Sequence, residues 1–504
     1  MKLIDLSDLI EDLVRLLGSN RLNIDLPWNN GSNYDIYFNL LKNNRYSSTD
    51  EIAIHLGYTN KKDKAFIRLQ QRFENKLSDL IFTIDLDNEG RSYHATIAHK
   101  VIMNFAQGKL LIQRSMRRAS LHYFNKAMIL ANRISLPEYQ YLLAYEYYKM
   151  YSIVNFDKKK AEFYHKMMNE QKAIMDAELQ VKQYEGELVG IISQNVDLSV
   201  LRKKSKRYGE LCLSIINKYF SYQMYISAFQ VIVFYYNVHN QLDKVVEMID
   251  DAKRRLSSMK LLNPGAEYII NDSYIKGLIT SHNFEEAEEA IKTLTVGVSN
   301  GPRSFTRSRL LFSVLVRLKK YEEASKVTRQ ALSKKEIKVY RRSHELFLIK
   351  KGYIHLLVEL GVFESESKEF SKITPYKLNK LINQISILSK DKTGINASLR
   401  ILEMSFFIVR KSTDNLIDRI DSVRQYAYKY LRKDDNLRFR IFFRFLIKCQ
   451  EQRFNVQAIK RHTRDLRVKL NENPQLLLDS VVDVEIIPLE DLWDYLIEYI
   501  ENNY

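Results

Sequence analysis

The chain has 504 residues, 45% of them apolar, and a formal charge of +17. That is enough apolar material for two or three domains or one extended repeat array. Gly (15) and Pro (7) are scarce, which speaks against sheets with tight hairpins and for long helices joined by short turns. The two cysteines, Cys212 and Cys449, give neither a disulfide framework nor a metal-ligand spacing, so a reducing, cytoplasmic location is expected.

Residues 1–20 read as a helix over roughly 2–17. Three Asp and one Glu interrupt its apolar positions, so it does not read as a signal peptide. No apolar run approaches the ~20 residues that cross a bilayer, and no membrane partner is expected. A loop, Asn23 to Asn33, leads to a helix over Tyr34–Asn43. Thr49 is placed to cap a short helix, and Gly57 to end it in a left-handed conformation. A long amphipathic helix follows over Asp63–Leu80, with Phe66, Leu69, Phe73, Leu77 and Leu80 on one face. Phe82 to His94 reads as a short hairpin around Asn88–Gly90.

From about residue 101 nearly everything reads as helix. Ser120, Phe124 and Ala127 form a small–aromatic–small series. Glu138–Val154 pairs with Lys158–Glu170, and helices over Asp197–Tyr219 and Tyr225–Asn240 follow. Pro264, Pro302 and Pro375 fall where new helical units start. Phe284-Glu-Glu-Ala287 and Tyr321-Glu-Glu-Ala324 open two similar helices, and Leu242, Val245, Ile249 and Ala252 form a weaker copy. The anchors 242, 284 and 321 are 42 and 37 residues apart, within the range of helical-repeat periods.

The aromatic, the Ala three residues on, and a second small residue further along (Thr328 and Ala331 after Tyr321) resemble the second half of a tetratricopeptide repeat. The resemblance is clearest over about 226–335. It departs from the family in that the usual Trp, Leu-Gly and Tyr positions of the first helix never occur together. It implies an all-α solenoid of antiparallel helix pairs over 101–470, following a small helical module over 1–100. An acidic helical tail, 471–504, ends the chain. The Lys-, Asn-, Ile- and Tyr-rich composition suggests an A+T-rich, bacterial source.

By the same resemblance, one face of each first helix lines a groove for a peptide or a partner's tail. Arg309, Ser313 and Arg317 lie on that face, and Asp272, Lys276 and Thr280 hold the matching positions one unit earlier. Residues 303–351 carry fifteen Lys/Arg against four acids, so the expected partner has an acidic surface.

Residues 429–469 hold thirteen Lys/Arg against four acids. Arg438, Arg440, Arg444, Lys448 and Arg453 surround phenylalanines, and Lys460, Arg461, Arg464 and Arg467 follow. Such a basic surface suits an acidic protein or a phosphate backbone. The tail beyond it has nine acids and no Lys or Arg, so it is fit either to fold back on that surface or to dock on a partner.

Residues 49–59 resemble the first helix and turn of a helix-turn-helix module, which makes Thr59, Arg68, Arg72 and Lys76 candidates for DNA contact. That module followed by tetratricopeptide repeats is the layout of bacterial peptide-responsive transcription factors. Catalysis has no residues behind it. There is no His-Glu-x-x-His, Cys-x-x-Cys, Gly-x-Ser-x-Gly or phosphate-cradling glycine loop, and no metal or cofactor is expected. The reading is a non-enzymatic protein- or peptide-binding adaptor or regulatory subunit. A DNA-binding regulator and a nucleic-acid-associated component of a bacterial defence complex are the alternatives.

Overall fold

Among the described residues, twenty-one α-helices account for most of the chain and no strand occurs. The computed structural model describes residues 10, 28–29, 31–42, 48–83, 93–193, 198–294, 302–370, 376–385, 395–431, 437–473 and 485–504. The expected N-terminal helix lies outside them except for Ile10. Pro375 and most of the expected 82–94 hairpin also lie outside. Of that hairpin, Phe82 and Thr83 belong to one helix and Tyr93 and His94 to the next. The chain divides into two units, residues 1–130 and 131–504.

In the first unit, α1 (Asn33–Lys42), α2 (Thr49–His55) and α3 (Lys64–Thr83) enclose one core. Tyr37, Phe66 and Phe73 pack edge to face at its centre, with Trp28 against Phe73. Ser48, not Thr49, caps α2: its hydroxyl accepts from Glu51 N, and Thr49 is the first helical residue. Gly57, at φ +84°, ends α2 as expected, with Tyr58 N–H donating to Ala53 O and Gly57 N–H to Ile54 O. In this unit α4 (Tyr93–Gln113) packs on α5 (Arg117–Ile134) where Gly108 faces the ring of Phe124. A Cβ at Gly108 would overlap that ring.

The second unit is an all-α helical-repeat solenoid. It opens with α6 (Pro137–Lys149), a π-helical turn (Met150–Val154), the 36-residue α7 (Lys158–Ser193) and α8 (Leu198–Lys218). Helical hairpins follow: α9 (Tyr222–Val238) with α10 (Leu242–Ser258), α11 (Pro264–Thr280) with α12 (Phe284–Thr293), and α13 (Pro302–Arg317) with α14 (Tyr321–Ser333). α15 (Arg341–Glu359) is followed by a longer excursion to the short α16 (Leu378–Ile385). Two more hairpins, α17 (Ile395–Val409) with α18 (Thr413–Tyr430) and α19 (Leu437–Glu451) with α20 (Val456–Glu472), precede the final α21 (Leu489–Asn503). Successive helices pack side by side, and first helices also touch first helices, as in α9 on α11 and α15 on α17.

The repeat is written in the turns. Asn240, His282, Lys319, Gly361, Lys411 and Arg453 all have positive φ, at intervals of 42, 37, 42, 50 and 42 residues. After each, the next N–H donates five residues back: Gln241 to Tyr236, Asn283 to Leu278, Lys320 to Leu315, Val362 to Leu357, Ser412 to Phe407 and Phe454 to Cys449. This closes the helix end in one standard way and turns the chain back on itself. Only one of the six is Gly. The left-handed backbone costs a non-Gly residue about 1–2 kcal/mol, which the packing of each hairpin offsets. Pro264 and Pro302 begin α11 and α13 as expected. The expected anchors Phe284 and Tyr321 begin α12 and α14, with Ala287, Ala324 and Ala331 buried.

Candidate functional sites

The α11/α13 face is built from residues four apart on two neighbouring first helices. Lys276 Nζ pairs with Asp272 at 2.6 Å. One turn earlier, Tyr268 lies beneath the guanidinium of Arg303, 4.7 Å from its ring centre. Burial, then Asp272, raises the Tyr268 phenol above its usual range, while Lys276, Arg303 and Arg309 oppose them. Tyr268 and Arg303 escaped the sequence reading, although Tyr268 is four residues before Asp272 and Arg303 six before Arg309.

The other expected groove residues turn inward. Thr280 and Ser313 are buried, at 7% and 2% exposure, so a partner cannot reach them. The Thr280 hydroxyl donates to Lys276 O in its own helix, as small hydroxyl residues do when packed against a neighbour. Arg317 donates to both the hydroxyl and the carbonyl of Ser313. Burial pulls its guanidinium down to about 10, with Glu485 and Asp491 pushing the other way.

The basic C-terminal region meets the chain's own acids. Arg438 departs from its expected place on the surface: its side chain is 12% exposed and is shared by Glu485 and Glu490, each at 2.7 Å. Burial works against its charge, but the two carboxylates outweigh it and hold the guanidinium above its ordinary value. From Glu485 on, the acidic tail folds back here, one of the two expectations for it. Arg467 pairs with Asp494, Lys460 with Glu501, and Lys319 with Asp491. Tyr321 and Tyr495 share a hydrogen bond of 2.7 Å, and the hydroxyls of Tyr499 and Tyr504 donate to Val409 O and Ile408 O. α21 thus runs along several of the left-handed turns. Lys448 is held by Glu451, and Arg440 donates to Leu431 O. Arg444, Arg453, Arg461 and Arg464 keep exposed side chains. A further exposed set lies on α8, at Arg202, Lys203, Lys206 and Arg207; the run RKKSKR was its signal in the sequence.

In the first unit, Arg68 and Arg72 are exposed one turn apart on α3 and enter none of the ion pairs among the described residues. Thr59 donates to Asp63 Oδ2, and Lys76 lies over the ring of Tyr34 at 5.5 Å. Eight residues, Leu56 to Asp63, separate α2 from α3, and α3 begins at Lys64, one residue later than the expected Asp63. This connection is longer than the three- or four-residue turn of a helix-turn-helix.

Among the described residues no group of three or more His, Cys, Asp or Glu is placed to hold a metal ion. Both cysteines are buried, and burial pushes the Cys212 thiol up to about 12 and raises the Cys449 thiol as well. A cleft of about 670 Å³ opens between the start of α16 and helices α17 and α18. Its arginines are engaged, Arg410 with Glu359 and Arg419 with Glu403. No family model matches this chain, and neither does any curated protein or solved structure.

Proposed function

We propose that this chain is a non-catalytic adaptor or regulatory subunit that binds an acidic protein segment on the α11/α13 face. The supporting observation is the half-buried Tyr268 beneath Arg303, on which Lys276, Arg303 and Arg309 act against Asp272. An arginine stacked on an aromatic ring keeps its donors in plane and ready for a carboxylate. The recurring left-handed turns support reading the hairpins as divergent tetratricopeptide-like repeats, whose first helices present such faces. The partner's carboxylates would meet Arg303 and Arg309, and the phenol of Tyr268 would fix their orientation.

The test is co-purification from the native host, with and without nuclease, comparing the wild type with Arg303→Glu/Arg309→Glu. A nuclease-resistant protein partner at near-equal amount should be present in the first and lost in the second, with unchanged circular dichroism. Retention of the partner by the doubly substituted chain rejects this face as its site.

A second reading, a DNA-contacting N-terminal unit, is favoured by Arg68 and Arg72 standing exposed on one face of α3. Contacts of this kind are phosphate contacts and weaken with salt. Duplex DNA affinity that is the same in Arg68→Ala/Arg72→Ala as in the wild type removes that reading.

A further inference from the structure

Helices α6 and α7 form a hairpin whose far end lies outside the main cores. Between Lys158 and Asp176, α7 buries only Ala161, and it joins the core of the second unit at Ala177. The hairpin holds itself together with rings: Tyr164 stacks on Tyr147 at 4.7 Å and on Tyr151 at 5.8 Å. Its end is irregular. α6 passes into the π-helical turn, and Asn155 and Asp157 donate back to Met150 O and Tyr151 O. Single π turns of this kind are rare and recur at functional sites.

The widened turn presents apolar side chains to solvent. Ile153 is 78% exposed, Phe156 79% and Val154 41%. A lone exposed apolar residue needs no explanation, but three within four residues at the end of a hairpin do. Lys158, Lys159 and Lys160 follow at once, all exposed. Lys160 pairs with Asp157 at 3.3 Å and Lys158 with Glu162 at 4.0 Å, both as exposed, weak pairs. Lys159 enters no ion pair among the described residues.

The chemistry of the end selects its occupant. A second copy of the same end would set three lysines against three more with only Asp157 and Glu162 to offset each set, which leaves an excess of positive charge and disfavours self-association. An anionic lipid surface satisfies both parts, since its interior takes apolar side chains and its headgroups attract lysines. We propose that the α6/α7 end is a peripheral contact for an anionic membrane surface. Ile153, Val154 and Phe156 enter the layer beneath the headgroups, and Lys158, Lys159 and Lys160 meet the headgroups themselves. No helix among the described residues is long and apolar enough to cross a membrane, so the contact is with the surface. The proposal does not depend on the α11/α13 face.

Both native cysteines are buried, so Asn155→Cys gives the full chain one accessible thiol for an environment-sensitive dye. With vesicles of phosphatidylcholine and phosphatidylserine the dye should shift to shorter wavelength and brighten; with phosphatidylcholine alone it should change little. In sedimentation with the mixed vesicles, Ile153→Ser/Phe156→Ser should bind about tenfold more weakly than the wild type. Lys158→Ala/Lys159→Ala/Lys160→Ala should lose much of the salt dependence. Equal sedimentation of wild type and the double serine variant would assign vesicle binding to the chain's general basicity and overturn the proposal. A dye that responds only when a protein partner is added overturns it too, and makes the end a protein contact.

Discussion

The indole of Trp493 lies flat on the ring of Phe445, with centroids 3.7 Å apart and planes 16° from parallel. This contact seats the acidic α21 on the phenylalanine-rich α19, and Phe442 meets the same indole edge-on. Leu489, Leu492, Leu496, Ile497 and Ile500 are buried beside it. Helix α21 is therefore part of the core, not a loosely held strap. Trp493→Ala should destabilise the second unit by about 3–5 kcal/mol, as large aromatic truncations in cores do. Urea titration followed by circular dichroism gives the value. A loss below about 1 kcal/mol, within the range of surface substitutions, would mean that α21 adds little to the core.

Arg438 adds a pH dependence to the same contact. Burial pushes the Glu490 carboxyl up, but its hydrogen bonds with Arg438 and the charge of that residue outweigh burial and leave it below its ordinary value. A carboxylate depressed in the folded state adds stability that is complete above its unfolded pKa, about 4.3. That stability is lost as pH falls from there through the folded value. Arg438→Met leaves two carboxylates without their cation and should cost about 3–5 kcal/mol at neutral pH. Without Arg438 only burial acts strongly on Glu490, so the loss should shrink as pH falls through the unfolded value of about 4.3 and Glu490 takes up its proton. Denaturation of both proteins at several pH values checks this; a cost that does not vary with pH contradicts the assignment.

Two glycines in neighbouring helices should respond to alanine with opposite signs. A Cβ at Gly209 in α8 would lie 2.5 Å from Cδ1 and 2.7 Å from Cβ of Tyr235. The second atom is tied to the α9 backbone and cannot swing aside, so Gly209→Ala should destabilise by about 1–3 kcal/mol. At Gly186, exposed in α7, a Cβ would meet nothing within 4 Å. There Ala should stabilise by about 0.5–1 kcal/mol through helix propensity. Thermal melts of the two variants decide it, and a Gly209→Ala that does not destabilise would contradict the close approach of α8 and α9.

The helices and their hairpins were legible because a 3.6-residue apolar period and the aromatic–Ala spacing act locally. Phe284, Tyr321, Pro264 and Pro302 mark their helix starts for that reason. The turns were less visible, since Lys319, His282 and Arg453 take left-handed backbones that their side chains do not announce. Repeat geometry consequently extends to α20, well past the clearest sequence matches at about residue 335. Face assignments were the weakest. Thr280 and Ser313 follow the same four-residue ladder as Lys276 and Arg309, yet the neighbouring helices cover them. Whether Arg438 points to water or to Glu485 depends on a segment 47 residues away, which no local pattern reports.

His355 carries a second pH signature, independent of the tail. It is buried in α15 and stacks on Tyr376, with ring centres 4.3 Å apart. Burial, helped by Lys351 and Arg410, pushes its imidazole down to about 4. The unfolded chain binds this proton at about 6.5, so between the two values the unfolded state holds more protons than the folded one. Stability is therefore complete above about 6.5 and is lost as pH falls toward about 4, by at most about 3 kcal/mol for this one group. His355→Gln keeps a polar ring-sized neighbour for Tyr376 but cannot take up the proton. Its stability should fall less between pH 7 and pH 5 than that of the wild type. Parallel pH profiles of unfolding in the two proteins would contradict a neutral, buried His355.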